Sequence, residues 1–229
     1  LVGVLLKECS NFVQKTPPKF GIQTVEISKM TKTQKEQALT QVAKDLLRST
    51  CPLRKTATQP VAGEGSPNAN IFLIGEAPGR NEDAQGRPFV GAAGRVLTEL
   101  LQLIQLERTD VFITSIEKFR PPQNRDPKPK EVMACFPFLE RQIEIIQPKL
   151  IVCLGRHALQ RMLEWEHLTE KKTTAMAKFR GQAFQGSSGR WYYPVHHPAA
   201  VLYGFNRATL EKDFKQIPEL LKKIDMQKK

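Results

Sequence analysis

The sequence predicts an α/β protein: a three-layer α/β/α sandwich around a central four-stranded, mainly parallel sheet. Two observations carry this. Four apolar, β-branched runs of strand length occur along the chain: "NIFLIGE" (residues 70–76), "VFITSI" (111–116), "LIVCLG" (150–155) and "WYYPVHH" (191–197). Helical patterns separate them, and alternation of strand and helix is the mark of a parallel sheet covered on both faces.

Each element follows from its own pattern. The first three runs are almost continuously apolar, as strands buried on both faces should be. Residues 94–104 place Val96, Leu97, Leu100, Leu101 and Ile104 on one helical face. Residues 129–147 open with Pro129 ahead of Glu131, a good helix start. Residues 155–165 form a third helical pattern. Right-handed crossovers then bring the C-terminal strand ends to one edge, where ligands bind. The "GSSG" at 186–189 reads as a turn. Residues 1–45 are expected to be an N-terminal extension, and residues 46–229 the main domain. In the extension, "SNFVQKTPPKFGIQ" (10–23) reads as loop. The segment from 31 to 50 reads as a helix with Thr31 or Thr33 as N-cap.

Charge and cysteine content narrow the function classes. Thirty-five Lys and Arg against 23 Asp and Glu leave +12, and the excess clusters at 128–130, 170–180 and 221–229. Such clusters modestly favour a polyanionic partner over plain solubility, while the C-terminal run also reads as a solvated helix face. No window of eighteen apolar residues exists, so no membrane span is expected. The opening "LVGVLLKECS" lacks the flanks of a secretory signal. Four cysteines (Cys9, Cys51, Cys135, Cys153) stand far apart without a CxxC pair, which argues against a zinc ribbon or a disulfide scaffold and fits a reducing cytosol. Cys153, inside "LIVCLG", reads as buried apolar filler.

The chemistry is concentrated in three motifs. "GEAPGRNEDAQGRPFVGAAGRVL" (75–97) follows the first strand, "RPPQNRDPKP" (120–129) the second, and "HPAA" (197–200) the fourth. The Gly-rich loop lacks a following GK[ST], which argues against a nucleotide P-loop. Together the three closely resemble the family 4 uracil-DNA glycosylases of the uracil-DNA glycosylase superfamily, from about Cys51 to about Leu221. "LGRHALQ" after the third strand fits the same family.

The resemblance implies a DNA repair enzyme that flips uracil out of DNA and hydrolyses its N-glycosidic bond, leaving an abasic site. Phe89 would stack on the base, with core packing as the plain alternative. Gly75, Glu76 and Ala77 would line the base and the attacking water. Glu82 would stand where thymine carries its methyl group. Glu82 and Asp83 are further candidates to hold the water, or simply an acidic pair at a helix start. His197 would donate to uracil O2, stabilising the negative charge that develops on the leaving base. His196 reads as structural, and His157 and His167 as surface or core residues. In the loop after His197, Leu202 or Tyr203 would fill the space vacated in the duplex and Arg207 would meet phosphate. Leu202 packed beneath the loop is the alternative.

Two departures from the family stand out. Typical members bind a four-iron four-sulfur cluster through four cysteines. Here Cys51 and Cys135 match two ligands, while Arg48 and Phe119 stand at the other two. Because such clusters need thiolates, the expectation is no cluster and no metal cofactor, with Phe119 filling the space. Ser115 stands where the family reads uracil with Asn, and a hydroxyl makes fewer hydrogen bonds than an amide. A water extending the hydroxyl, or Asn81 or Asn124, would then substitute, or the base range would widen. No Lys is placed for a Schiff base, which implies a monofunctional hydrolase. The competing reading is a DNA-binding damage sensor with lost or altered catalysis. The protein is read as a cytoplasmic monomer, with uracil-containing DNA as partner and no membrane contact.

Overall fold

The computed structural model describes residues 29–168 and 175–227, and the described residues from Thr31 onward form one compact unit. The loop expected at 10–23 lies outside the described residues. The helix expected next is α1 (Lys32–Leu46). Thr31 caps it: its side chain accepts from the Gln34 N–H while the Gln34 side chain accepts from the Thr31 N–H. The helix is fixed to the body by Arg141, whose guanidinium meets Asp45 at 2.8 Å, and by Lys35, which donates to the Ile146 carbonyl.

The sheet runs β1 (Glu64–Gly65), β2 (Ile71–Gly75), β3 (Phe112–Ser115), β4 (Leu150–Leu154), β5 (Phe184–Gln185) and β6 (Trp191–Val195) along the chain. Its spatial order is β1-β3-β2-β4-β6-β5. The four runs expected from the sequence are the parallel strands β3, β2, β4 and β6. Among the described residues the sheet has six strands rather than four, because β1 and β5 add antiparallel edges of two residues each. Two residues are too short to leave a periodic trace. The "GSSG" turn closes the β5–β6 hairpin, with the Gly186 N–H donating to the Arg190 carbonyl.

Among the described residues, seven further α-helices follow α1. They are α2 (Arg80–Gln85), α3 (Ala92–Leu103), α4 (Pro129–Ile146), α5 (Arg156–Trp165), α6 (Ala175–Phe179), α7 (Arg207–Lys215) and α8 (Ile217–Gln227). The continuous apolar strands feed both sides of the sheet. Ile71, Leu73, Ile113, Leu150, Val152, Tyr193 and Val195 meet α3, α7 and α8 on one face. Phe72, Ile74, Phe112, Ile151, Cys153 and Tyr192 meet α4 and α5 on the other. Each large aliphatic side chain so enclosed contributes about 1.5–3 kcal/mol. Cys153 is fully buried among them, and burial pushes its thiol up, as expected for filler.

This architecture positions the site. Gly75 and Ser115 are register partners at the ends of β2 and β3, and Leu154 pairs with Val195 at the ends of β4 and β6. Everything just beyond those residues converges on one sheet edge.

Candidate active site

The loop from β2 to α3 is built around an aromatic ring in an unusual backbone state. Phe89 has φ of 52° and is 7% exposed. That left-handed conformation costs roughly 1–3 kcal/mol in a bulky residue. Two glycines make room for it. A Cβ at Gly75 would stand 2.6 Å from the Phe89 ring, and one at Gly94 would stand 1.9 Å from the Phe89 carbonyl oxygen. Arg108 supplies the restraint, donating to the carbonyls of Pro88 at 2.7 Å and Phe89 at 3.1 Å while paired with Glu64. Nothing in the sequence around Arg108 announces this role, since its partners are backbone atoms distant along the chain.

The two acids of α2 hold the same loop. Glu82 accepts from the backbone N–H groups of Gly79, Val90 and Gly91 at 2.9–3.1 Å. Asp83 is buried and accepts from the Thr58 backbone N–H and hydroxyl. Both carboxylates are therefore engaged in shaping the loop.

His197 faces this loop from beyond β6. Its ring lies 5.5 Å from that of Phe89, centroid to centroid, at 29°. Gly155, with φ of 92°, permits the approach, since a Cβ there would stand 3.0 Å from the His197 Cβ. The Ala199 backbone N–H donates to His197 Nδ1 at 3.1 Å. Nδ1 is thus the acceptor of the neutral ring, and the single proton sits on Nε2. Burial lowers the imidazole to about 4, so the ring stays neutral near pH 7. His196 turns away and packs on the Phe205 ring.

Glu76, the next residue after Gly75, is half-buried, and burial raises its carboxyl above the ordinary range. Its backbone carbonyl accepts from the Glu117 N–H, which extends the β2–β3 pairing by one step. His157 Nε2 is 3.6 Å from the Glu76 carboxylate and 3.9 Å from that of Asp126. Glu76 and His157 line a cavity of about 270 Å³. The sequence reading assigned His157 to surface or core. Its position in the first turn after β4 was the available signal, because that turn belongs to the ligand edge of a parallel sheet.

Ser115 is 4% exposed, and its hydroxyl would stand 3.3 Å from a Cβ at Gly75, beside the Phe89 ring. The strand end is held by Lys118, fully buried, whose ammonium donates to the Thr114 hydroxyl, the Ser115 carbonyl and the Gln142 side chain at 2.6–2.8 Å. Burial lowers this lysine to about 7. Asn124 is held elsewhere, accepting from Arg120 at the surface, and Asn81 is exposed. After His197, a two-turn 3-10 helix (Pro198–Tyr203) ends at Gly204 and presents Leu202, 50% exposed, and Tyr203, 88% exposed. Leu202 is thus an outward residue rather than packing beneath the loop. Arg207 is paired with Glu99 and Glu211, both at 2.8 Å.

A family model, the uracil DNA glycosylase superfamily, matches residues 62–222. The chain belongs to this superfamily. It is similar to the type-4 uracil-DNA glycosylase of Sulfurisphaera tokodaii, 47% identical over 180 residues, with 74% of this chain and 78% of the relative covered. The type-4 enzyme of Archaeoglobus fulgidus is 47% identical over 176 residues, covering 74% of this chain and 86% of the relative. That of Saccharolobus solfataricus is 44% identical over 176 residues, covering 75% and 80%. No helix among the described residues is long and apolar enough to cross a membrane.

Membership corrects one expectation. The sequence reading expects no metal cofactor because Arg48 and Phe119 replace two ligands of the family's iron–sulfur cluster. The type-4 relatives belong to a family that carries such a cluster, and Cys51, Glu117 and Cys135 here form a group able to hold a metal. Reading only the aligned cysteine positions overlooked Glu117, two residues before Phe119. Against the family's four thiolates the fit is partial: two thiols and one carboxylate converge among the described residues. Phe119 packs beside Cys51 and Cys135 in one apolar cluster. Cys9 lies outside the described residues.

Proposed function

We propose that this chain excises uracil from DNA, hydrolysing the bond between base N1 and sugar C1′. The observation that carries the reading is the Ala199 N–H bond to His197 Nδ1, which leaves an Nε2–H free to donate at the sheet edge. The flipped base enters beside Phe89, whose ring offers a stacking face. As the N1–C1′ bond breaks, its electron pair leaves with the base and spreads to O2. The Nε2–H of His197 donates to that oxygen, and a neutral donor placed in advance lowers the barrier as charge grows. Water adds to C1′ of the cationic sugar. Glu76 orients that water and takes up its proton, which passes finally to the released uracil.

The remaining residues serve this reaction. Gly75 and Ala77 line the base, and Ser115 faces its polar edge. Glu82 and Asp83 act by fixing the loop. Leu202 and Tyr203 enter the duplex where the base has left, because exposed apolar groups on a tight turn suit a wedge. Arg207 would exchange a carboxylate partner for phosphate. In this reading water rather than a lysine amine is the nucleophile and the strand stays uncut; the buried Lys118 is engaged with three acceptors of the fold. The protein acts as a cytoplasmic monomer.

The test is incubation with a uracil-containing oligonucleotide, followed by alkali. Alkali-labile sites at uracil, with an intact strand before alkali, are the expected result. Binding without alkali-labile product would make the chain a damage sensor instead.

A further inference from the structure

The corner formed by Cys51, Glu117 and Cys135 has the makings of a coordination sphere. The two Sγ atoms are 3.4 Å apart, and the ligand atoms of all three residues lie within 4.8 Å of one another. All three residues are buried, at 2%, 0% and 0% exposure. They come from three separate places: the residue before a single-turn helix (Pro52–Lys55), the segment after β3, and α4.

Glu117 supplies an independent observation. Both of its carboxylate oxygens are buried without a hydrogen-bond partner, which is so of no other carboxylate among the described residues. The one proton of the neighbouring Cys135 thiol lies between Cys51 Sγ and this carboxylate, and it cannot satisfy both carboxylate oxygens. An unpaired buried acid costs several kcal/mol unless something answers it. A cation would answer it. Moreover, the backbone N–H of Lys118 donates to Cys135 Sγ at 3.4 Å, a bond that favours the sulfur as an anion.

We propose that Cys51, Cys135 and Glu117 bind a single thiophilic divalent cation, with zinc as the type. Two thiolates select a soft or borderline metal, and a carboxylate oxygen completes a set that zinc accepts. Tetrahedral zinc with sulfur at about 2.3 Å sets its two sulfurs about 3.8 Å apart. The thiols therefore need to part only slightly from their present separation. Binding displaces the thiol protons to solvent. Three protein ligands leave one corner for water. Glu117 also lines the 270 Å³ cavity shared with Glu76 and His157, which supplies an access path. The site ties α4 to the segment after β3, and so supports the strand end that carries Ser115.

The test uses the full chain and two probes, zinc and cobalt(II), with readouts that do not depend on catalysis. Native mass spectrometry and elemental analysis should find about one zinc per chain. Cobalt(II) should give a thiolate-to-metal charge-transfer band with tetrahedral visible bands. Glu117→Gln should weaken zinc at least about tenfold, and Cys51→Ser should remove the charge-transfer band. Should a variant fail to fold, the cobalt spectrum of the unaltered chain still decides. A chain that takes up neither probe stoichiometrically, one that holds four irons with inorganic sulfide, or a folded Glu117→Gln variant with unchanged zinc affinity would each overturn the proposal.

Discussion

The base pocket and the thiol corner both adjoin the end of β3, yet they are built on opposite terms. In the pocket, the polar groups that set the geometry have partners. Glu82 accepts three backbone N–H groups, Arg108 holds two carbonyls, and His197 Nδ1 is satisfied by Ala199. The one hydrogen that matters, on Nε2, is left for a ligand. In the corner, the Glu117 carboxylate is enclosed and unanswered. The contrast teaches that a prepared site can advertise itself in two ways: as a single donor left over from a saturated network, or as a buried acid whose oxygens are left without a hydrogen-bond partner.

The largest expected effect breaks the pocket at its spare donor. His197→Ala should slow uracil release about 10²- to 10³-fold, the loss typical of one preplaced donor, while binding to abasic-site DNA changes little. Equal loss in both measurements would place His197 in binding rather than bond cleavage. Next comes the pH response of folding. Because the folded imidazole titrates near 4 and an unfolded histidine near 6.5, its neutral burial favours the fold fully above pH 6.5. That contribution, about 3 kcal/mol, is lost as pH falls from 6.5 to 4. Urea titrations of the wild type and His197→Gln over this range should diverge accordingly, and parallel curves would contradict it.

Phe89→Ala should cost about 1–3 kcal/mol of base capture, read as a rise in KM for uracil-containing single strands. It should also relieve little of the loop strain, since alanine resists a positive φ as well. The corner answers in the other direction. In chelator-treated protein, Glu117→Leu should raise the stability by about 1–3 kcal/mol, because it deletes an unsatisfied group. A loss of stability there would mean that Glu117 has a protein partner after all.

Most of this fold was legible because the central strands are buried on both faces. Residues such as Leu73 and Val152 alternate with Phe72 and Ile151 between two helix layers, so the sequence shows unbroken apolar runs. The edge strands were illegible because pairs such as Glu64–Gly65 are too short for any period. In the candidate site, the motifs pointed to Phe89 and His197, whose rings the fold brings to 5.5 Å of one another. Their supports were not legible. Arg108 acts on carbonyls, which every residue carries, and the acids at 82 and 83 reveal their charge in sequence but not the N–H groups that absorb it. His157 was passed over because its partner Glu76 is brought near only by strand pairing. Glu117 was missed because a search for thiolates does not look for a carboxylate two residues away.

The central claim is that His197 is held neutral with its proton on Nε2, ready for the departing base. Nitrogen-15 NMR of the imidazole in the folded chain tests it most directly. The account predicts a protonated Nε2 and an unprotonated Nδ1 at pH 7, with titration only near pH 4. A proton on Nδ1, or titration at the ordinary histidine value near 6.5, would contradict it.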